Sequence, residues 1–220
     1  MRLFRKPKTS QEHFEKGMKY GAASDFSHAE ASFREAVRLA PDEPYPHYEL
    51  GYTLTLLARH DEALEEFRRT EQLSRGFFQV ETEIFLCEQF LSGSLDAAAL
   101  EMLRSLQRLA DSGKAQSEET VAVSRRVIAW APECALGHFH LGKAMLEREP
   151  TTAEEALRRC LELHPDDTTA INAKWHVGAL RQQAGQEEEA QRIWSEIASD
   201  YRGHPLAMLP WIGGSRAATR

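Results

Sequence analysis

"YELGYTLTLLARHDEALEEF", residues 48–67, is the stretch on which the reading of the fold turns. Its apolar residues recur at helical spacing, yet Gly51 interrupts them and Ala63 follows twelve places later. Glycine inside a helix costs about 1 kcal/mol relative to alanine, so it implies a packing reason. The spacing suggests two helices in close antiparallel contact, with Gly51 and Ala63 as the small side chains at the crossing. Leu50, Leu54 and Phe67 then fill the space around it. A larger residue at 51 would force the helices apart, at roughly 1–3 kcal/mol.

The pattern recurs. Residues 14–33 read "FEKGMKYGAASDFSHAEASF", and residues 175–194 read "WHVGALRQQAGQEEEAQRIW". Residues 139–157, "FHLGKAMLEREPTTAEEAL", are one residue shorter. Each copy has an aromatic residue three places before glycine, an alanine about twelve places after it, and a large apolar residue four places further on. Pro41 and Pro165 close two of the copies, and Pro132 ends a further helical run. "TSQE" (Thr9 to Glu12) and "TAEE" (Thr152 to Glu155) read as capping boxes that start helices. Gly185 marks a turn, and the glutamates after it suit the first turn of a helix. No β-strand pattern stands out.

This recurrence resembles the tetratricopeptide repeat, a helix–turn–helix of 34 residues. The likeness spans about residues 10–204 and is strongest over 10–77 and 135–204. It is carried by Gly17, Tyr20, Ala29, Phe33, Ala36 and Pro41 in the first copy, and by Leu50, Gly51, Leu54, Ala63 and Phe67 in the second. Leu141, Gly142, Ala153, Leu157 and Pro165 carry a later copy, and Val177, Gly178, Ala190 and Trp194 the last. The resemblance implies an all-α fold, a tetratricopeptide-type α-solenoid of about five helix–turn–helix units with an irregular middle. The units fall near 10–43, 44–77, 80–113, 135–167 and 171–204, with an extra helix near 117–131.

The middle is the weakest part of the pattern. Residues 80–113 fit a unit if Cys87 takes the small position, with Leu86, Phe90, Ala99, Leu103 and Leu106 falling in place. "SEETVAVSRRVIAWAPE" (117–133) looks like a second helix without its first, and a kink, an inserted helix or a loop would each explain the gap. A count along the chain gives about eleven helices. Residues 1–9 form a basic segment, and 205–220 an apolar cap and disordered tail. Leu206, Met208, Leu209, Trp211 and Ile212 are too apolar for a free linker, and a repeat array needs its last apolar face covered. Docking into a neighbouring molecule, including homo-oligomerisation, and folding back into the chain's own groove are the other uses of such a tail.

Charge and composition exclude several classes. The 220 residues carry a net charge of −7, although Arg2, Arg5, Lys6, Lys8, Arg216 and Arg220 make both ends basic. An acidic body argues against nucleic acid. There is no apolar run of the ~18 residues a membrane span needs, and no apolar stretch of a signal peptide at the start, so a cytoplasmic protein is expected. Cys87, Cys134 and Cys160 are scattered, with no C-x-x-C pair. Cys87 and Cys160 read as core, and Cys134, two residues after Pro132, as an exposed thiol with no basic neighbour to activate it. No nucleophile motif, phosphate loop or metal-ligand spacing is present, so no cofactor, no metal and no enzymatic activity is expected. His138 and His140, two apart on a helix, point too far apart to share a metal. His13, His47 and His138 each precede the aromatic of their copy by one place and read as packing between helices.

The resemblance also places a groove. In the family, peptide-contacting residues sit on the first helix of each pair, which here gives Phe14, Glu15 and Met18, then Tyr45, Tyr48, Glu49 and Tyr52. It further gives Ile84, Phe85 and Glu88 in the weak unit, then Phe139, His140 and Lys143, and Trp175 and His176. Aromatic side chains grip a peptide at low entropic cost. Family members that hold acidic C-termini of chaperones use Lys, Arg and Asn there; Phe14, Met18 and Glu49 stand at the early positions, so no such clamp is expected. The function implied is a non-enzymatic adaptor or scaffold binding a partner peptide or helix. A chaperone shielding an apolar client segment and a regulatory domain of an enzyme complex are the alternatives.

Overall fold

The computed structural model describes residues 9–77 and 79–209. Among the described residues there are eleven α-helices and no strand. They divide into two compact units, residues 1–91 and 92–220. The first holds α1 (Ser10–Ala22), α2 (Phe26–Leu39), α3 (Pro44–Leu56), α4 (His60–Leu73) and α5 (Val80–Leu91). The second holds α6 (Ala97–Asp111), α7 (Glu118–Trp130), α8 (Ala135–Met145), α9 (Pro150–Glu162), α10 (Asp167–Gln183) and α11 (Glu187–Asp200). Within each unit, every helix packs against the next in sequence.

Helix ends follow from local chemistry. Thr9 forms the capping box expected of it: its hydroxyl accepts from the Glu12 amide, and the Glu12 carboxylate accepts from the Thr9 amide. The second box is corrected. Thr152 lies inside α9, which begins at Pro150, a residue whose missing N–H costs nothing in the first helical turn. The Thr152 hydroxyl donates instead to Glu149. Gly185 takes φ +78° in the turn before α11, a conformation costly for any residue with a Cβ.

The recurring glycines sit against the large residue that fills the space around each crossing. A Cβ at Gly51 would lie 2.8 Å from the Phe67 ring, and its three nearest atoms all belong to that ring rather than to Ala63. Gly17 meets Phe33 at 2.5 Å and Gly178 meets Trp194 at 2.3 Å in the same way. In the copy shortened by one residue, Gly142 meets Leu157 at 2.6 Å. Each glycine is thus a seat for the large side chain sixteen (or fifteen) residues on. Ala29, Ala63, Ala153 and Ala190 are fully buried in the same cores.

The core of the first unit gathers Phe33, Leu50, Leu54 and Phe67, and α5 joins it through Val80 and Cys87. The division between units falls inside the segment 80–113 that spacing grouped together: α5 packs on α4, and α6 packs on α7. Helix α7, read as lacking a partner, packs against both α6 and α8, and a Cβ at Gly137 would lie 2.8 Å from Val127. The core of the second unit gathers Val121, Phe139, Met145, Leu157, Cys160, Val177, Leu180 and Ile193. A further cluster joins Ile171, Ala190, Trp194 and Ile197, and Leu206 and Ala207 of the tail pack against it. Trp211, Ile212 and the residues from Gly213 onward lie outside the described residues.

One expectation about cysteine is corrected. Cys134 is buried, because it caps α8 where α7 and α8 meet, and burial raises its thiol pKa. Cys87 and Cys160 are buried as well, and burial pushes Cys160 up to about 12.

The histidine at the start of two copies is a fastener. His47 Nδ1 lies 2.6 Å from Glu66 Oε2, and its Nε2 lies 3.0 Å from the Pro41 carbonyl. A neutral imidazole has one N–H, so two acceptors call for the doubly protonated ring. Burial opposes the charge, but Glu66 and the Pro41 carbonyl more than offset it, with Arg69 weakly against, and the pKa is raised. His138 Nε2 meets the Pro132 carbonyl at 2.9 Å, six residues back like the His47–Pro41 contact. A raised folded pKa means the stabilisation is complete below the unfolded value, about 6.5, and is lost as pH rises through the folded value. Urea unfolding is therefore expected to show the first unit weakening as pH rises from 6 to 9. His47→Gln should flatten that dependence, and an unchanged slope would show that His47 does not carry it.

Candidate functional site

Two ion-pair networks link successive helix pairs. Glu30 pairs with Arg34 at 2.8 Å and Arg59 at 2.7 Å, and Glu62 pairs with Arg34 at 2.8 Å and Arg59 at 2.6 Å. The second unit repeats the arrangement: Glu154 pairs with Arg158 and Arg181, and Glu189 lies 3.7 Å from Arg158 and 3.8 Å from Arg181. Each such pair is partly exposed and contributes little alone. Sequence reading missed them. The signal was present as Glu30 and Arg34, then Glu154 and Arg158, at matching places after the glycines.

In the first unit, the Phe14 ring on α1 lies tilted at 5.8 Å from Phe33 and edge-on at 6.5 Å from Tyr45. Tyr45 and Tyr48 on α3 lie 4.7 and 5.7 Å from Phe77, and Tyr48 also lies 5.7 Å from Phe67. Phe14, Tyr48, Tyr52 and Ile84 are half-buried against the core. Met18 and Tyr45 remain 43% and 49% exposed. Of the α3 aromatics, Tyr45 is thus the one the core leaves exposed. Burial raises the pKa of Glu49 on the same helix, and no described residue offers it a cation. Glu15 is exposed, Phe85 is half-buried, and Glu88 pairs with Arg68 at 2.9 Å.

In the second unit, α8 and α10 touch. Phe139 is only 8% exposed, so it serves as the floor of this face: the Lys143 ammonium sits 5.3 Å above its ring. His140 lies 5.6 Å from Phe139, and His176 lies 5.0 Å from Trp175. Burial and then the nearby Lys143 charge push both imidazoles down to about 4, so they are neutral at pH 7. Lys143 has its own pKa lowered by burial. Spacing brought these residues out one helix at a time; that the charge of one lysine reaches histidines on two helices was not legible.

Among the described residues no group of three or more His, Cys, Asp or Glu side chains is placed to hold a metal ion. No described helix is long and apolar enough to cross a membrane.

Stacked helix pairs, each crossing on a glycine seated against a large side chain, define a helical repeat chain. Residues 138–167 match the family model of the tetratricopeptide repeat. Similar solved structures include MamA from Desulfovibrio magneticus RS-1, residues 41 to the end, at 16% identity and TM-score 0.41, covering 91% of this chain and 99% of that one. YrrB, described as a TPR protein with an unusual peptide-binding site, is 12% identical with TM-score 0.40, covering 90% and 89%. TTC0263, a TPR protein of Thermus thermophilus, is 19% identical with TM-score 0.39, covering 87% and 91%. No curated protein matches the chain.

Proposed function

We propose that this chain is a non-enzymatic interaction module that binds a peptide or helix of a partner protein against the first helices of its pairs. The observation that supports this reading is the contrast between charges that the chain matches itself and the few that it leaves unmatched. Arg34, Arg59, Arg158, Lys174 and Arg181 are all matched internally, whereas Met18 and Tyr45 stay exposed and Glu49 and Lys143 have no counter-charge among the described residues. Folding alone favours matched or absent charges at half-buried positions, so unmet ones point to an outside partner.

The test is capture of partner protein from the native organism by the immobilised chain, compared with Met18→Ala/Tyr45→Ala. Both side chains are more than a third exposed, so the variant should fold with little change in thermal midpoint. Interface aromatics at a binding centre commonly dominate affinity, so captured partner should fall about tenfold or more. Equal capture by both proteins would move the binding surface elsewhere.

A further inference from the structure

The first half of the α8–α10 face holds three polar side chains that the protein itself does not satisfy. Lys143, His140 and His176 have no hydrogen-bond or ion-pair partner among the described residues, and none of their polar atoms is sealed in the core. The contrast with the neighbouring cations is direct. Lys174 on α10 has Asp200 at 2.6 Å and Glu196 at 3.7 Å, and Arg181 has Glu154 and Glu189. Lys143 has only the face of the Phe139 ring, at 5.3 Å. A ring beneath an ammonium offsets part of its lost hydration, but a half-buried cation without an anion still weakens the folded state.

We propose that Lys143, flanked by His140 and His176, receives one carboxylate from an acidic side chain of a partner peptide. Lys143 supplies the charge, and each neutral imidazole has one N–H to donate to the same carboxylate. Such charge-assisted bonds are among the stronger polar contacts, and the apolar floor of Phe139 and Trp175 keeps the local dielectric low. The charge of the site selects an acidic group over a basic or neutral one. This assignment rests on the interaction-module reading and adds the chemistry of the partner at the second unit.

The experiment uses the full chain and two acetylated, amidated decapeptides, one alternating Glu with Leu and its counterpart with Gln in place of Glu. The Glu peptide is expected to bind the wild type about tenfold more tightly than the Gln peptide, the size of one charge-assisted hydrogen bond. It should also shift the imidazole resonances of His140 and His176. Lys143→Met keeps the apolar stem over Phe139, so it should erase the preference while raising the thermal midpoint of the free protein. Equal affinity for the two peptides, a preference that survives Lys143→Met, or unmoved histidine resonances would overturn the assignment. Inorganic phosphate producing the same shifts at equal concentration would overturn the side-chain source and make the site one for free anions. If Lys143→Met still captures a partner that Met18→Ala/Tyr45→Ala has lost, the interaction-module reading stands and this assignment alone fails.

Discussion

Phe67→Ala is expected to lower the unfolding free energy by about 3–5 kcal/mol, the range for emptying an aromatic site in a packed core. Phe67 is fully buried. Its ring fills the notch left by Gly51, lies 5.7 Å from the Tyr48 ring, and meets the cluster that Val80 and Cys87 complete. Removing it empties the crossing of α3 with α4 and also the contact of α4 with α5. The surroundings have little freedom to collapse, because Leu50, Leu54 and Ala63 are held on rigid helices on either side. Urea unfolding followed by circular dichroism reports all the helices, whereas tryptophan fluorescence reports only the second unit, because Trp130, Trp175, Trp194 and Trp211 all follow residue 92. The loss should appear in the dichroism transition. A shift below about 1 kcal/mol would mean that the ring is not the keystone of this crossing.

Gly178→Ala is the second large effect, and its sign is the informative part. Alanine gains about 1 kcal/mol of helix propensity over glycine. Its Cβ would stand 2.3 Å from Trp194 Nε1, whose N–H donates to the Trp175 carbonyl at 3.3 Å. The indole cannot shift without losing that bond and disturbing Ile171 and Ile197. Overpacking of this kind costs about 1–3 kcal/mol and outweighs the propensity gain. In a Trp194→Ala background the clash is gone, so the same Gly178→Ala change should stabilise by up to about 1 kcal/mol. A double-mutant cycle that finds the two changes additive would refute the pairing of seat and ring. The same inversion is expected for Gly51 with Phe67 and for Gly17 with Phe33, where the approaches are 2.8 and 2.5 Å.

These two experiments test the part of the fold that was most legible. The helices, the glycine positions and the large residue at the end of each copy were all visible as spacing. The closeness of each approach was not, because spacing places the large residue near the crossing without saying how far its ring reaches into the glycine's notch. The start of α9 was misplaced for a similar reason: Thr152 carries a capping sequence, but Pro150 pre-sets the helical φ two residues earlier and wins. Cys134 was misjudged because nearness to a proline turn says nothing about whether another helix covers the turn.

The residues of the candidate site were legible only as a roster. Tyr45, Tyr48 and Tyr52 share one helix, as do His140 and Lys143, and helical geometry groups them without further knowledge. That His176 joins Lys143 requires α8 and α10 to touch, and that Lys143 lacks a carboxylate requires every neighbouring element to be in place. The same holds for His47, whose two acceptors come from the turn after α2 and from α4.

The amino-acid sequence by itself determined the helical class, the recurring crossing and the ends of most helices, because these depend on periodicity, glycine and proline within a single segment. Only the tertiary structure decided which helices pair in the middle of the chain, which charges find partners and which are left open. Those outcomes depend on groups far apart in sequence meeting within a few ångströms, and no local pattern of side chains encodes that meeting.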